Sequence, residues 1–117
     1  VVCAVSDGKG GIDIDRPRNK AKKVAERFFT QAECDWIGDD SLRFARIWTL
    51  KEAYAKLTGD GIAGTVSKVE FRHETSANMA SVVNMYISGK KADNIKIYEL
   101  NIIKQKYVIS AMEYIKN

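Results

Sequence analysis

The period of the apolar residues changes near residue 60, and that change constrains the fold more than any other feature of the chain. From Asn19 to Thr58 apolar side chains recur at helical spacing. Ala21, Val24, Ala25, Phe28 and Phe29 give one apolar side to a basic helix over 19–29, with Asn19 as its cap. Thr30 and Glu33 form the pattern of a capping box opening a short helix that Gly38 can end. A longer helix is expected over 40–58, with Phe44, Ile47, Leu50, Tyr54 and Leu57 as its buried stripe and Gly59 as its stop. Beyond residue 65 the segments 66–71, 80–87, 95–102 and 107–112 are rich in β-branched and aromatic residues, with turns at 89–91 and 104–105. Ahead of the helices, 1–6 and 11–15 read as the strands of a hairpin that Pro17 breaks. Helices and strands are thus segregated along the chain. The expected class is α+β, an antiparallel sheet with helices packed on one side.

A length of 117 residues suits a single domain, 1–117. A domain of this size buries about two-thirds of its unfolded surface, which leaves room for a partner to contribute stability. No apolar run approaches the roughly 20 residues that cross a bilayer, and no charged-then-apolar order marks a signal peptide. Cys3 and Cys34 form neither a metal spacing nor a disulfide framework, which fits buried free thiols and a cytoplasmic location. The chain opens on Val-Val-Cys-Ala-Val without Met, as expected of a chain that begins inside a larger protein. Nineteen Lys and Arg against 15 acids leave a net charge of +4, which suits an anionic ligand or an acidic protein partner.

Two segments carry chemistry. In Gly11-Ile-Asp13-Ile-Asp15 the aspartates sit two apart, so in a strand they share a face while Ile12 and Ile14 point to the core. Neighbouring carboxylates repel unless a cation lies between them, and Mg²⁺ prefers such oxygen ligands. A solvated acidic edge strand accounts for the same five residues. In the second segment Trp48, Glu52 and Lys56 recur at i, i+4 and i+8, one stripe of the long helix. Glu52 and Lys56 read either as a surface ion pair or as a charged pair at the rim of a cleft.

Taken together, Gly11-Ile-Asp13-Ile-Asp15, Arg27-Phe28-Phe29-Thr-Gln-Ala-Glu33 and Trp48-Thr-Leu-Lys51-Glu52-Ala-Tyr-Ala-Lys56-Leu-Thr-Gly59-Asp-Gly61 resemble the 4′-phosphopantetheinyl transferase superfamily in order, spacing and residue type. The strand at 1–6 and the Trp at position 48 resemble the double-length Sfp type. In that type an Asn/Ser-His-Ser segment lies just upstream, so the chain is expected to be the C-terminal half of a pseudo-dimer. The resemblance implies Mg²⁺-dependent transfer of phosphopantetheine from coenzyme A to a serine of an acyl or peptidyl carrier protein, releasing 3′,5′-ADP. Such chemistry serves fatty acid, polyketide or nonribosomal peptide biosynthesis. It also implies Asp13, Asp15 and Glu52 as metal ligands, Glu52 as the base for the carrier serine, Lys56 as a catalytic and phosphate-binding residue, and Lys51 as a further coenzyme A contact. Asp15 departs from the family, where Glu is more usual.

The basic run Arg16, Arg18, Lys20, Lys22, Lys23 and Arg27 reads as a solvated helix face or as a dock for an acidic carrier. His73, the single histidine, reads as a surface residue at a strand end, and Tyr86, Tyr98, Tyr107 and Tyr114 as sheet packing. Three other readings stay open: a complete small holo-acyl-carrier-protein synthase acting as a homo-oligomer, a non-catalytic basic module for an acidic partner, and a catalytically dead fragment that keeps the fold. Nucleic acid is disfavoured, because Asp13 and Asp15 would set negative charge beside phosphate. A lone half would also expose the apolar face meant for its partner, and a homodimer through that face is expected.

Overall fold

The computed structural model describes residues 10–15, 27–61, 68–75, 81–102 and 107–115. The expected strand at 1–6, most of the basic helix over 19–29, Pro17, and the turn at 104–105 lie outside the described residues. Among the described residues the elements that can be bounded follow one another as β1 (Gly10–Asp15), α1 (Gln31–Ile37), α2 (Ser41–Thr58), β2 (Val69–Thr75), β3 (Ser81–Ile87), β4 (Lys90–Lys91), β5 (Ile95–Ile102) and β6 (Tyr107–Tyr114). The α+β class with antiparallel strands is as the sequence leads one to expect.

The strands divide into two sheets of three, ordered β1-β6-β5 and β2-β3-β4. In the first, β1 pairs with β6 from Gly10 against Glu113 to Asp15 against Val108. In the second, β2 and β3 run in register from Val69 against Ile87 to Thr75 against Ser81. The expected turn at 89–91 is tighter than that. Ile87 pairs with Lys90, which leaves Ser88 and Gly89 as a two-residue loop. Both have positive φ, 50° and 84°, as a primed hairpin turn requires.

Both helices start as the sequence indicates. Thr30 caps α1 with a complete capping box, its hydroxyl accepting from the Glu33 amide and the Glu33 carboxylate accepting from the Thr30 amide. Asp40 caps α2 through Leu42 and Arg43, and Gly59 closes it, donating its N–H to the Ala55 carbonyl.

Helix α2 is the centre of the molecule. Of the expected stripe, Phe44, Ile47, Leu50 and Leu57 are buried and Tyr54 is half-buried, while Ala45, Thr49, Lys51, Ala53 and Ala55 are buried as well. It packs on β1 and β6 of the first sheet and reaches β2 of the second. The core closes around it with Phe29, Ile37, Val69, Phe71, Met85, Ile95 and Met112.

Candidate active site

Close contact between β1 and α2 begins at Gly11. A Cβ there would sit against the Ala53 carbonyl oxygen and 2.8 Å from the Leu57 amide nitrogen. With only a hydrogen in that place, the strand lies directly on the helix backbone. Asp13, two residues on, therefore faces α2. This corrects one expectation: the helix-side core lies on the Gly11 and Asp13 face, while Ile12 is half-buried and Ile14 is exposed on the other.

The register places Asp13 opposite Ser110, and Ser110 opposite Glu99, in one row across the sheet. Each meets a polar side chain from one stripe of α2. Lys56 Nζ donates to Asp13 Oδ1 at 2.8 Å and to the Ile12 carbonyl at 3.1 Å. The Thr49 and Ser110 hydroxyls lie 2.7 Å apart, fully buried. Arg46 Nε donates to Glu99 Oε2 at 3.0 Å. A seam of three polar pairs thus fixes how far α2 slides along the sheet. At its open end the Asp13 side chain is 15% exposed and that of Lys56 53%.

Glu52 is half-buried one turn before Lys56, on the same side of α2. Trp48, one turn further back, stacks with Phe44 at 6.2 Å between ring centres and lies 6.3 Å from Phe29. The expected stripe of Trp48, Glu52 and Lys56 is therefore anchored in the core at one end and open at the other. Asp15 ends β1 opposite Val108, and its side chain lies outside the described residues. Among the described residues no three His, Cys, Asp or Glu side chains gather as a metal site. The donors nevertheless suit a hard cation. Asp13 offers a mostly buried carboxylate whose charge in this structure is balanced by an ammonium group.

Lys51 departs from its expected part in coenzyme A binding. Its side chain and that of Glu33 are each 0% exposed, and Nζ lies 2.9 Å from Glu33 Oε1. Nζ also donates to the Val69 carbonyl at 2.8 Å and sits over the Phe29 ring. The other Glu33 oxygen accepts from the Phe71 amide. Burial lowers the Lys51 pKa, against the pull of Glu33 in the other direction. Every described contact of Lys51 points into the core, where it ties α2 to α1 and β2.

His73 is a further correction. It lies inside β2, its side chain 4% exposed, stacked on Trp36 at 3.9 Å. Nε2 is 3.0 Å from Glu99 Oε1, and Nδ1 has no partner among the described residues. Arg43 and Arg46 cover Trp36 from outside. The one legible signal was strand alternation, which puts His73 on the same face as Val69 and Phe71.

These motifs recur in known proteins. The chain is 39% identical to the 4′-phosphopantetheinyl transferase gsp of Aneurinibacillus migulanus, over 53% of this chain and 28% of that protein. It is 41% identical to the 4′-phosphopantetheinyl transferase HetI of a Nostoc species, over 53% of this chain and 30% of that protein. The chain spans under a third of the length of these relatives. The fold is similar to a solved structure of Helicobacter pylori holo-[acyl-carrier-protein] synthase in complex with coenzyme A, with a TM-score of 0.64 and 21% identity. That likeness covers 90% of this chain and 98% of the other. The family model described as the 4′-phosphopantetheinyl transferase superfamily matches residues 10–111, so from Gly10 in β1 to Ala111 in β6 this chain belongs to that superfamily.

Proposed function

We propose that this chain carries the metal and diphosphate side of an enzyme that moves 4′-phosphopantetheine from coenzyme A to a carrier-protein serine. The observation that carries the reading is the meeting of Asp13 and Lys56 at 2.8 Å on the open end of the β1–α2 seam, in a member of this superfamily. A carboxylate for a cation and a lysine for a phosphate stand side by side, with Glu52 one turn away.

In the proposed reaction the serine oxygen forms a bond to the phosphorus next to the pantetheine. The bond from that phosphorus to the 3′,5′-ADP oxygen breaks. Glu52 takes the serine proton, directly or through a water. Lys56 neutralises charge that grows on the leaving phosphate. A Mg²⁺ held by Asp13, Asp15 and Glu52 would supply Lewis-acid neutralisation of the diphosphate. Lys51 orients the helix carrying Glu52 and touches no substrate.

Asp13→Ala and Glu52→Ala should each remove most transfer to an apo-carrier, with unchanged circular dichroism. Transfer near the wild-type rate in either would overturn the assignment. The partners proposed are coenzyme A and an acidic acyl or peptidyl carrier, in the cytoplasm. Among the described residues no helix is long and apolar enough to cross a membrane. The relatives' greater length supports reading the chain as part of a longer enzyme, and the resemblance of its motifs makes that part the C-terminal half. The near-complete fold match to a synthase chain favours a second reading, a small synthase acting as a homo-oligomer. The two part on activity: a half should transfer weakly alone, a small synthase at full rate.

A further inference from the structure

We infer that Lys56 is the resident counter-cation of Asp13, which a divalent cation must displace, so that metal binding itself frees the lysine for phosphate. The inference rests on the reading of Asp13 as a metal ligand. The ammonium lies 2.8 Å from Asp13 Oδ1 and 3.1 Å from the Ile12 carbonyl. The two partners differ in freedom. Asp13 is 15% exposed on a strand pressed to the helix at Gly11, whereas Lys56 is 53% exposed on a flexible stem. Lys56 is therefore the member that moves.

Mg²⁺ takes a carboxylate oxygen at about 2.0–2.1 Å. That approach is opposed by an ammonium already hydrogen-bonded to the same carboxylate, since the two positive charges would stand within a few ångströms of each other. Once displaced, Lys56 loses its anion and its four-carbon stem can turn toward solvent. A phosphate arriving there meets an uncommitted ammonium instead of one it must first detach. By linkage, an anion that draws Lys56 away must tighten the metal by the same factor. The pair thus couples the two ligands without any movement of the backbone.

The probe is Mn²⁺ alone, with free ion measured by electron paramagnetic resonance on the 117-residue chain. K56Q should bind Mn²⁺ more tightly than the wild type, by up to about fivefold, the factor that corresponds to the roughly 1 kcal/mol ceiling of an exposed ion pair. K56R, which keeps the cation, should bind like the wild type, and D13N should lose the ion. K56Q binding equal to or weaker than wild type, with D13N still deficient, overturns the displacement and leaves the metal reading intact. Wild-type affinity in D13N, or no Mn²⁺ bound by any variant, overturns both.

Discussion

Asp13 reaches Lys56 because the residue two before it has no side chain. Gly11→Ala would press a methyl into the Ala53 carbonyl, and neither backbone can yield cheaply. Overpacking of this kind costs about 1–3 kcal/mol. The expected result is a lower urea midpoint together with weaker transfer, because the strand is pushed off the helix that carries Glu52 and Lys56. Lys51 invites a different test. Removing one member of a buried pair strands the other, at about 3–5 kcal/mol. Lys51→Ala should therefore destabilise by that order in urea titration, and Glu33→Gln combined with Lys51→Met should recover part of the loss. At this scale the sequence was legible wherever a residue type has few uses. Paired Asp in a strand and Glu then Lys one turn later named Asp13, Glu52 and Lys56 as the residues of interest. Lys51 was misread because its partner, Glu33, was already accounted for by its capping role at Thr30. Nothing in the spacing says that the same carboxylate also receives an ammonium from another helix.

At the level of elements, the polar seam does what an apolar interface cannot: three specific pairs allow α2 a single axial position over the first sheet. Glu99 links that seam to the second sheet through His73. Burial raises its pKa, but the hydrogen bonds with His73 and Arg46 outweigh burial and hold it below the ordinary 4.5. A carboxylate depressed in the folded state contributes stability in full above its unfolded pKa and loses it as pH falls through the folded one. Taking the pH from about 6 to about 3 should thus lower the wild-type urea midpoint more than that of Glu99→Gln. Equal slopes would show that the network contributes nothing ionic. Helix starts and stops were readable because caps act within a few residues: Thr30, Asp40 and Gly59 each stand where the pattern placed them. The assignment of strands to two sheets was not readable. Pairing β1 with β6 depends on residues about a hundred positions apart, and no local pattern records it.

The whole molecule keeps one sheet face without cover among the described residues. Ile14, Tyr98 and Leu100 stand exposed on the side of the first sheet away from α2, Leu100 at 57%, with Ile109 and Ala111 between them in register. Under the half-enzyme reading a second copy takes the place of the absent half there. Light scattering coupled to size exclusion should then find a dimer with weak transfer, and Leu100→Lys should shift it toward monomer. A stable wild-type monomer with full activity would refute the half-enzyme reading. The closure of the first sheet has a separate consequence, for synthesis. The second sheet is built from neighbours in sequence, β2 to β4, and can form while the remainder is still being translated. The first sheet cannot: β1 must wait for β6, and Gly10 for Glu113. Pairings of such long separation are slow to form. A ribosome that stops before β6 therefore releases Asp13 on a strand with no β6 to pair with, so a truncated product lacks the assembled seam rather than keeping a weakened form of it.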